Sequence, residues 1–184
     1  MCTGERDSSS KGYTMRFARV DLADVDQLYI RMHERWWQSH GPVMTYVKNA
    51  SLAFTVPARP MPEARVALIT TGGAHHKDQP PFDLDNRIGD PSFRLIPSDT
   101  PLSDLRFAHD HYDHTSADLD PNCMFPLERL RELARDGRIK AVASMHVGFS
   151  GWIPKTEALV KEFVPRVAER LKADGTDVAL LTGG

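Results

Sequence analysis

Three strand-sized apolar stretches stand out in the pattern of hydrophobic and polar positions. Residues 65–71 form a continuous apolar run closed by Gly72 and Gly73, which is typical of a strand buried on both faces of a parallel sheet. Residues 141–147 and 178–182 are two further strand candidates. The pattern therefore predicts a sheet that draws its strands from distant parts of the chain.

Helical spacing occurs between and after these strands. One stripe repeats apolar residues at three- and four-residue steps: Leu127, Leu130, Leu133 and Ala134. Pro126 suits the first helical position of this stripe and Gly137 the position after its end. A second stripe covers 159–171 and is expected to bend or restart at Pro165. The order strand, long loop, helix, strand, helix, strand predicts an α/β fold with an open, mostly parallel, Rossmann-like sheet and helices on both faces.

The N-terminal third has a different pattern. Residues 1–18 lack periodic apolar positions, which indicates a flexible leader. From Asp21 onward a helix of about 18 residues is predicted, because apolar residues recur at helical spacing up to Trp36 and His40-Gly41-Pro42 supplies a stop. This helix and a proline-rich connector make up residues 19–63, so we place the main domain at 64–184.

Composition and charge exclude several classes of partner. The 184 residues carry 23 basic and 25 acidic side chains, a net charge of -2, and no local cluster of Lys and Arg that would attract nucleic acid. The apolar runs are far shorter than the roughly 20 residues that span a bilayer. We therefore expect neither a nucleic acid nor a membrane as partner. The polar N-terminus and only two cysteines, Cys2 and Cys123, favour a cytoplasmic location.

Two of the predicted strands run into a pair of glycines. Residues 66–73 end in Thr71, Gly72 and Gly73, and residues 178–184 end in Gly183 and Gly184. Ligands of open α/β sheets bind outside the carboxyl ends of strands, where glycine exposes backbone N–H groups. We expect these five residues to bind substrate. The alternative is that each glycine pair only turns the chain.

The long segment between Gly72 and Pro126 contains a dense cluster of histidines. His109, His111 and His114 lie within six residues and alternate with Asp110 and Asp113, a composition that suits proton transfer or metal binding. The pattern His-x-His-x-Asp-His also resembles the metal-binding motif of the metallo-β-lactamase fold, in which zinc activates a water. A metal-dependent hydrolase is therefore an alternative, although His146 is the one histidine that follows the motif.

Several segments between about residue 57 and the end of the sequence carry a resemblance to a known family. They are 65–73, Gly89-Asp90-Pro91-Ser92-Phe93-Arg94 with Ile96-Pro97, 109–114, Asp120-Pro121-Asn122 with Phe125-Pro126-Leu127, 129–133 and 137–139. In this order, they resemble the selenoprotein B family of glycine, sarcosine, betaine and D-proline reductases. Their order and spacing make this resemblance more specific than the six-residue metal pattern.

The resemblance implies an oxidoreductase in which a selenol or thiol attacks next to a leaving amine. A dithiol donor such as thioredoxin then regenerates the nucleophile, and other reductase subunits are possible partners. In the family the nucleophile, a selenocysteine or cysteine, directly follows the strand that corresponds to 178–182, so we expect it immediately after Gly184. Because selenocysteine is encoded by UGA, we expect the sequence to be the front part of a longer selenoprotein, with a crossover and covering helix missing.

Site roles follow from the same resemblance. His109, His111 and His114 are the candidates for a general acid or for stabilising the selenolate, and Asp110 and Asp113 for orienting the imidazoles. The expected substrate is a small amine or amino-acid-like molecule. We expect no metal and no cofactor in the chain under this interpretation, and zinc only in a hydrolase.

The role of Cys123 has two interpretations. It is a possible redox thiol, but a lone cysteine beside Met124 and Phe125 is more typical of a small buried hydrophobic residue. A third function class also stays open, a non-catalytic domain that binds a small molecule or another subunit.

Overall fold

The computed structural model describes residues 55–109 and 113–183. The predicted leader, the predicted N-terminal helix and most of the connector lie outside these residues. The strands are β1 (Arg65–Thr70), β2 (Ala74–His76), β3 (Phe93–Pro97), β4 (Leu105–Phe107), β5 (Ala141–Val142), β6 (Met145–Phe149) and β7 (Val178–Thr182). The α-helices are α1 (Thr115–Leu119), α2 (Leu127–Arg135) and α3 (Val164–Ala173); a π-helical turn, Leu159–Phe163, precedes α3, and three 3-10 turns lie at Met61–Glu63, Leu102–Asp104 and Pro121–Cys123.

The central strand of the main sheet is β1. Along one edge it pairs in parallel with β7, from Val66 opposite Val178 to Thr70 opposite Thr182. Its other edge is shared by β5 and β6, which are also parallel to β1. Strand β3 lies beyond β6 and is antiparallel to it. The predicted mixed α/β fold and mostly parallel sheet are confirmed, whereas this strand order, with an antiparallel edge, does not confirm a Rossmann-like arrangement.

The predicted strand 141–147 is interrupted. Val66 lies opposite Val142 and Ile69 opposite Val147, so the β5–β6 segment contains two extra residues relative to β1. At this break the backbone N–H of Leu68 donates to Nδ1 of His146 at 2.9 Å. An imidazole therefore takes the place of the backbone carbonyl that would continue the ladder.

A helix packs on each face of the sheet because successive side chains of β1 point to opposite sides. Val66 and Leu68 lie in one core together with Leu127 and Leu130 of α2. Ala67 lies in the other core, which is closed by the α3 residues, chiefly Val167 and Leu171. This double burial explains why β1 is apolar at nearly every position.

Proline and glycine set the ends of both large helices. Pro126 is the N-cap of α2, one position earlier than predicted, and Gly137 follows the C-cap with φ of 66°. Pro165 has no N–H to donate and restarts the final helix as predicted. Immediately before it, the N–H of Val164 reaches back five residues to the carbonyl of Leu159, which accounts for the π-helical turn.

The segment between Gly72 and Pro126 is more structured than its lack of periodicity predicts. Besides short turns it contains α1, the antiparallel pair β2–β4 and the edge strand β3. Arg94 of β3 explains part of this order, because its guanidinium donates to the carbonyls of Pro80 and Pro81 at 2.8 and 2.9 Å. The prediction of a long irregular loop was therefore wrong.

Within the described ranges, no helix has both the length and the apolar character needed to cross a membrane.

Candidate functional site

The carboxyl ends of β1, β6 and β7 meet at one edge of the main sheet. After β1, the N–H of Thr71 donates to the carbonyl of Thr182 at 3.1 Å, and the N–H of Gly73 donates to the carbonyl of Phe149 at 2.9 Å. The segment that follows β1 is thereby attached to the ends of both neighbouring strands. We call this region, residues 70–73, 149–151 and 182–183, the carboxyl edge.

The two glycine segments that the sequence singled out both lie at the carboxyl edge. Gly73 has φ of 74°, and a Cβ atom built on it would lie 2.1 Å from the carbonyl oxygen of Ala108, so no other residue fits there. The N–H of Gly72 donates to Oγ1 of Thr70 at 3.0 Å. The N–H groups of Gly72 and Gly73 therefore both donate hydrogen bonds within the fold. Compared with these two glycines, Gly183 has the more exposed backbone. Gly184 lies outside the described residues.

His109 is the histidine of the predicted cluster that the structure brings to the carboxyl edge. It is 8% exposed and follows Ala108, whose N–H donates to the carbonyl of Gly73 at 3.0 Å. A Cβ atom built on Gly151 would lie 2.2 Å from Nε2 of His109 and 2.7 Å from the carbonyl oxygen of Thr71. The imidazole therefore occupies the space that a side chain at position 151 would need.

Gly151 and its neighbour Ser150, which is 4% exposed, were missed by sequence reasoning. The available signal was the second predicted strand in chain order, which also runs into a small residue and a glycine, Ser150 and Gly151. That strand was placed too early, at 141–147, so its end was not recognised as part of the same edge.

Asp113 and His114 lie at the start of α1. Oδ1 of Asp113 accepts the N–H of Thr115 at 3.0 Å and its hydroxyl at 2.6 Å, and these hydrogen bonds lower the pKa of the Asp113 carboxyl. Nδ1 of His114 lies 2.8 Å from Oδ2 of Asp118. In the structure Asp113 therefore contacts Thr115, and the carboxylate beside His114 is Asp118. Asp110 and His111 lie outside the described residues, so the roles predicted for this cluster stay predictions.

Cys123 is exposed, so its interpretation as a small buried hydrophobic residue was wrong. The next residue, Met124, accepts hydrogen bonds at its carbonyl oxygen from the hydroxyls of Thr182 at 2.7 Å and Thr70 at 3.3 Å. These two threonines end neighbouring strands of the sheet. The backbone beside Cys123 is therefore attached to the carboxyl edge, and its role as a redox thiol stays a prediction.

His146 is fully buried in the core that contains α2. Its Nδ1 accepts from Leu68, its ring meets that of Phe125 edge to face at 5.8 Å, and among residues 55–109 and 113–183 its Nε2 has no hydrogen-bond partner. Burial lowers its pKa from 6.5 to about 4; the charge of Arg131 acts in the same direction and that of Asp174 against it. His146 is therefore a neutral part of the sheet at physiological pH.

Metal binding has no support in the described part of the chain. No three His, Cys, Asp or Glu side chains of residues 55–109 and 113–183 lie close enough together to hold a metal ion. His111, which the hydrolase alternative requires, lies outside these ranges.

Comparisons with known proteins agree with the resemblance seen in the sequence. A family model described as glycine/sarcosine/betaine reductase selenoprotein B matches residues 18–184. The D-proline reductase subunit gamma of Acetoanaerobium sticklandii is 37% identical over 151 residues, which cover 77% of this chain and 61% of that subunit. The betaine reductase complex component B subunit beta of Peptoclostridium acidaminophilum is 27% identical over 165 residues, which cover 86% of this chain and 36% of that subunit.

The chain thus spans less than two thirds of the length of either relative. No solved structure matches it.

Proposed function

Because the chain belongs to the glycine/sarcosine/betaine reductase selenoprotein B family, we propose that it is part of a reductase that cleaves a carbon–nitrogen bond of a small amine or amino-acid-like substrate. Both named relatives are subunits of reductases. The proposal includes other reductase subunits as partners and a dithiol such as thioredoxin as electron donor.

The proposed chemistry takes place at the carboxyl edge. A selenolate or thiolate that follows β7 forms a bond to the substrate carbon, the carbon–nitrogen bond breaks, and the amine leaves with a proton from an imidazole. A dithiol then attacks the selenium or sulfur, the carbon takes up a proton, and the dithiol becomes a disulfide as the nucleophile is released. Two electrons thus pass from the dithiol to the carbon.

One observation supports this location above the others, the imidazole of His109. It lies against Gly151 and the carbonyl of Thr71, where β1 ends, and β1 pairs with β7 as far as Thr182. A group that follows β7 therefore begins at the edge where a buried imidazole is already held. His109 is our candidate for the general acid, with His111 and His114 as further candidates.

Substrate binding in the proposal relies on backbone rather than on a charged pocket. The N–H groups of Gly72 and Gly73 are donated internally, so these glycines would allow close approach, and Gly183 would supply an N–H to a substrate carboxylate. A Cβ atom built on Gly183 meets nothing within 4 Å, which leaves room for a ligand there.

The first experiment reads the gene from codon 185 onward. A UGA codon followed by an open frame that encodes a further helix and strand is the expected result. A UAA or UAG codon, or a UGA without coding sense after it, would contradict the position of the nucleophile and favour a domain that only binds.

The second experiment measures carbon–nitrogen cleavage by the extended protein together with its other reductase subunits. Betaine, sarcosine and glycine are assayed by the amine released and D-proline by the ring-opened amino acid formed, each with dithiothreitol as donor. We expect His109→Gln to lower the rate by at least about 100-fold, in the range typical of a lost general acid, and His76→Gln, a histidine away from the carboxyl edge, to leave it within about twofold. An unchanged rate for His109→Gln would refute the role of His109, and no carbon–nitrogen cleavage of any substrate would refute the proposed reaction.

A further inference from the structure

A groove separate from the carboxyl edge lies between β3 and α3. It encloses about 500 Å³. We name it the arginine–phenylalanine groove after four of the side chains that line it: Phe93, Phe163, Arg166 and Arg170. None of the residues assigned to the carboxyl edge lines it, so what binds there can be tested independently of the proposed reaction.

The groove combines aromatic surface with positive charge. The rings of Phe93 and Phe163 meet edge to face with their centres 6.4 Å apart. The guanidinium of Arg166 lies 5.6 Å from the first ring and 5.7 Å from the second. The aromatic pair thus holds Arg166 against its rings, and a cation in this position keeps its hydrogen-bond donors available to a ligand.

The charge of the groove is not neutralised by its own lining. Among the described residues no Asp or Glu lines it, and Arg166 has one long ion pair, 3.8 Å to Glu162, between side chains that are 54% and 62% exposed. Within residues 55–109 and 113–183, the guanidinium of Arg170 makes no hydrogen bond or ion pair. Arg94, which also lines the groove, donates to the carbonyls of Pro80 and Pro81 and lies 3.6 Å from the carboxylate of Asp90, so the unbalanced charge is that of Arg166 and Arg170.

Pro165 causes the π-helical turn that carries Phe163. Widened turns of this kind are frequent at functional sites. Here the turn brings Phe163 into contact with Phe93 of the edge strand, so the aromatic wall of the groove depends on it.

We propose that the arginine–phenylalanine groove binds an acidic segment of a partner protein that also carries apolar side chains. Phenylalanine and arginine are both enriched in protein interfaces, and arginine is also enriched among the residues that dominate the binding energy. Arg170 and the weakly paired Arg166 give the groove a positive charge that carboxylates on a partner would complement. A small-molecule pocket encloses most of its ligand, whereas here Arg166 stands more than half exposed at the rim.

The test measures fluorescence anisotropy with labelled 12-residue peptides and the whole purified protein. The probe peptide contains four Asp or Glu, two Phe and two Leu among Ser and Gly. One control peptide has Lys at each acidic position, and the other has Ser at each apolar position. We expect the probe to bind at least about tenfold more tightly than either control, and its affinity to fall between 50 and 500 mM salt because the contacts are ionic.

Matched variants identify the surface. The double substitution Arg166→Gln and Arg170→Gln is expected to weaken binding of the probe by at least about tenfold, because both arginines would contact its carboxylates. The double substitution Arg138→Gln and Lys140→Gln removes the same charge from exposed positions outside the groove and is expected to change binding less than twofold. Circular dichroism verifies that all variants are folded.

Several outcomes would overturn the proposal. They are no binding of the probe, equal binding of the lysine peptide, or equal loss in the two double variants. Competition by free glutamate at the same concentration as the probe would identify a small-anion site instead. None of these outcomes depends on carbon–nitrogen cleavage. A failed peptide-binding test would therefore not affect the proposed reaction, and a failed reaction assay would not affect the proposal for the groove.

Discussion

Replacing His146 gives a sharp test of how the sheet is held together. The imidazole accepts the N–H of Leu68 through Nδ1 and is fully buried, so the folded protein resists its protonation. The pKa of His146 is lowered to about 4 from the ordinary 6.5. Between these pH values the unfolded chain takes up a proton that the folded chain does not.

The sign and size of the effect follow from this difference. As pH falls from 6.5 to about 4 the free energy of unfolding decreases, and below that range this contribution is fully lost. At 1.36 kcal/mol per pKa unit the loss is about 3 kcal/mol. Above pH 6.5 His146 adds no pH dependence, because both states are neutral there.

Two substitutions separate the effect of protonating His146 from the effect of losing its hydrogen bond with Leu68. His146→Asn keeps an acceptor for the N–H of Leu68 and does not titrate, so its stability is expected to fall less than that of the wild type between pH 6.5 and 4. His146→Leu leaves that N–H buried without a partner, which costs about 1–3 kcal/mol relative to the wild type above pH 6.5. Because Leu does not titrate either, this difference from the wild type shrinks as pH falls to 4. The measurement is urea unfolding followed by circular dichroism at half-unit pH intervals.

The control is Ser103→Ala, which changes an exposed side chain without a titrating group and is expected to keep the wild-type slope. Other titrating groups are common to all variants and cancel in the comparison. Parallel stability curves for the wild type and His146→Asn would refute the reasoning, because they would mean that the buried imidazole contributes nothing to the acid sensitivity.

Two further substitutions test contacts that position the site and the core. Gly151→Ala places a methyl group 2.2 Å from Nε2 of His109 and is expected to lower the free energy of unfolding by about 1–3 kcal/mol in urea. The control Gly183→Ala meets nothing within 4 Å and should change stability by less than about 0.5 kcal/mol. Equal effects of the two substitutions would contradict the close packing of His109. The guanidinium of Arg131 donates to the carbonyls of residues 98 and 100 at 2.6–3.1 Å. Arg131→Lys should lower the free energy of unfolding by about 1–2 kcal/mol, because a lysine ammonium cannot donate to both carbonyls in the same forked geometry. Arg138→Lys on the exposed surface should be neutral, and a neutral Arg131→Lys would show that the fork does not stabilise the loop.

The sequence predicted those elements whose hydrophobic pattern is regular along their length. β1 and β7 are continuous apolar runs, and α2 has a regular stripe that ends at Gly137, so local periodicity was sufficient for each. β3 was missed because its five residues include Arg94 and Pro97. Its place in the sheet comes from pairing with β6, about 50 positions away, which no local pattern reveals.

The site was only partly accessible to sequence reasoning for the same reason. Gly72, Gly73 and Gly183 could be assigned to one edge because parallel strands end together. The contact between His109 and Gly151 forms only when the segment after β4 meets the segment after β6. The local sequence of neither segment predicts this contact. Cys123 was misjudged because its apolar neighbours Met124 and Phe125 are more buried than the cysteine itself.

The place of β1 at the centre of the sheet has a consequence for how the protein is made. Its partner β7 lies 112 positions later in the chain, from Val66 to Val178, and at about 5–20 residues per second the ribosome needs about 6–22 s to synthesise that interval. During this time the edge of β1 that pairs with β7 stays open, and its other edge stays open until β5 and β6 have been made. Slow codons between β1 and β7 would prolong the period in which these open edges can pair with another chain.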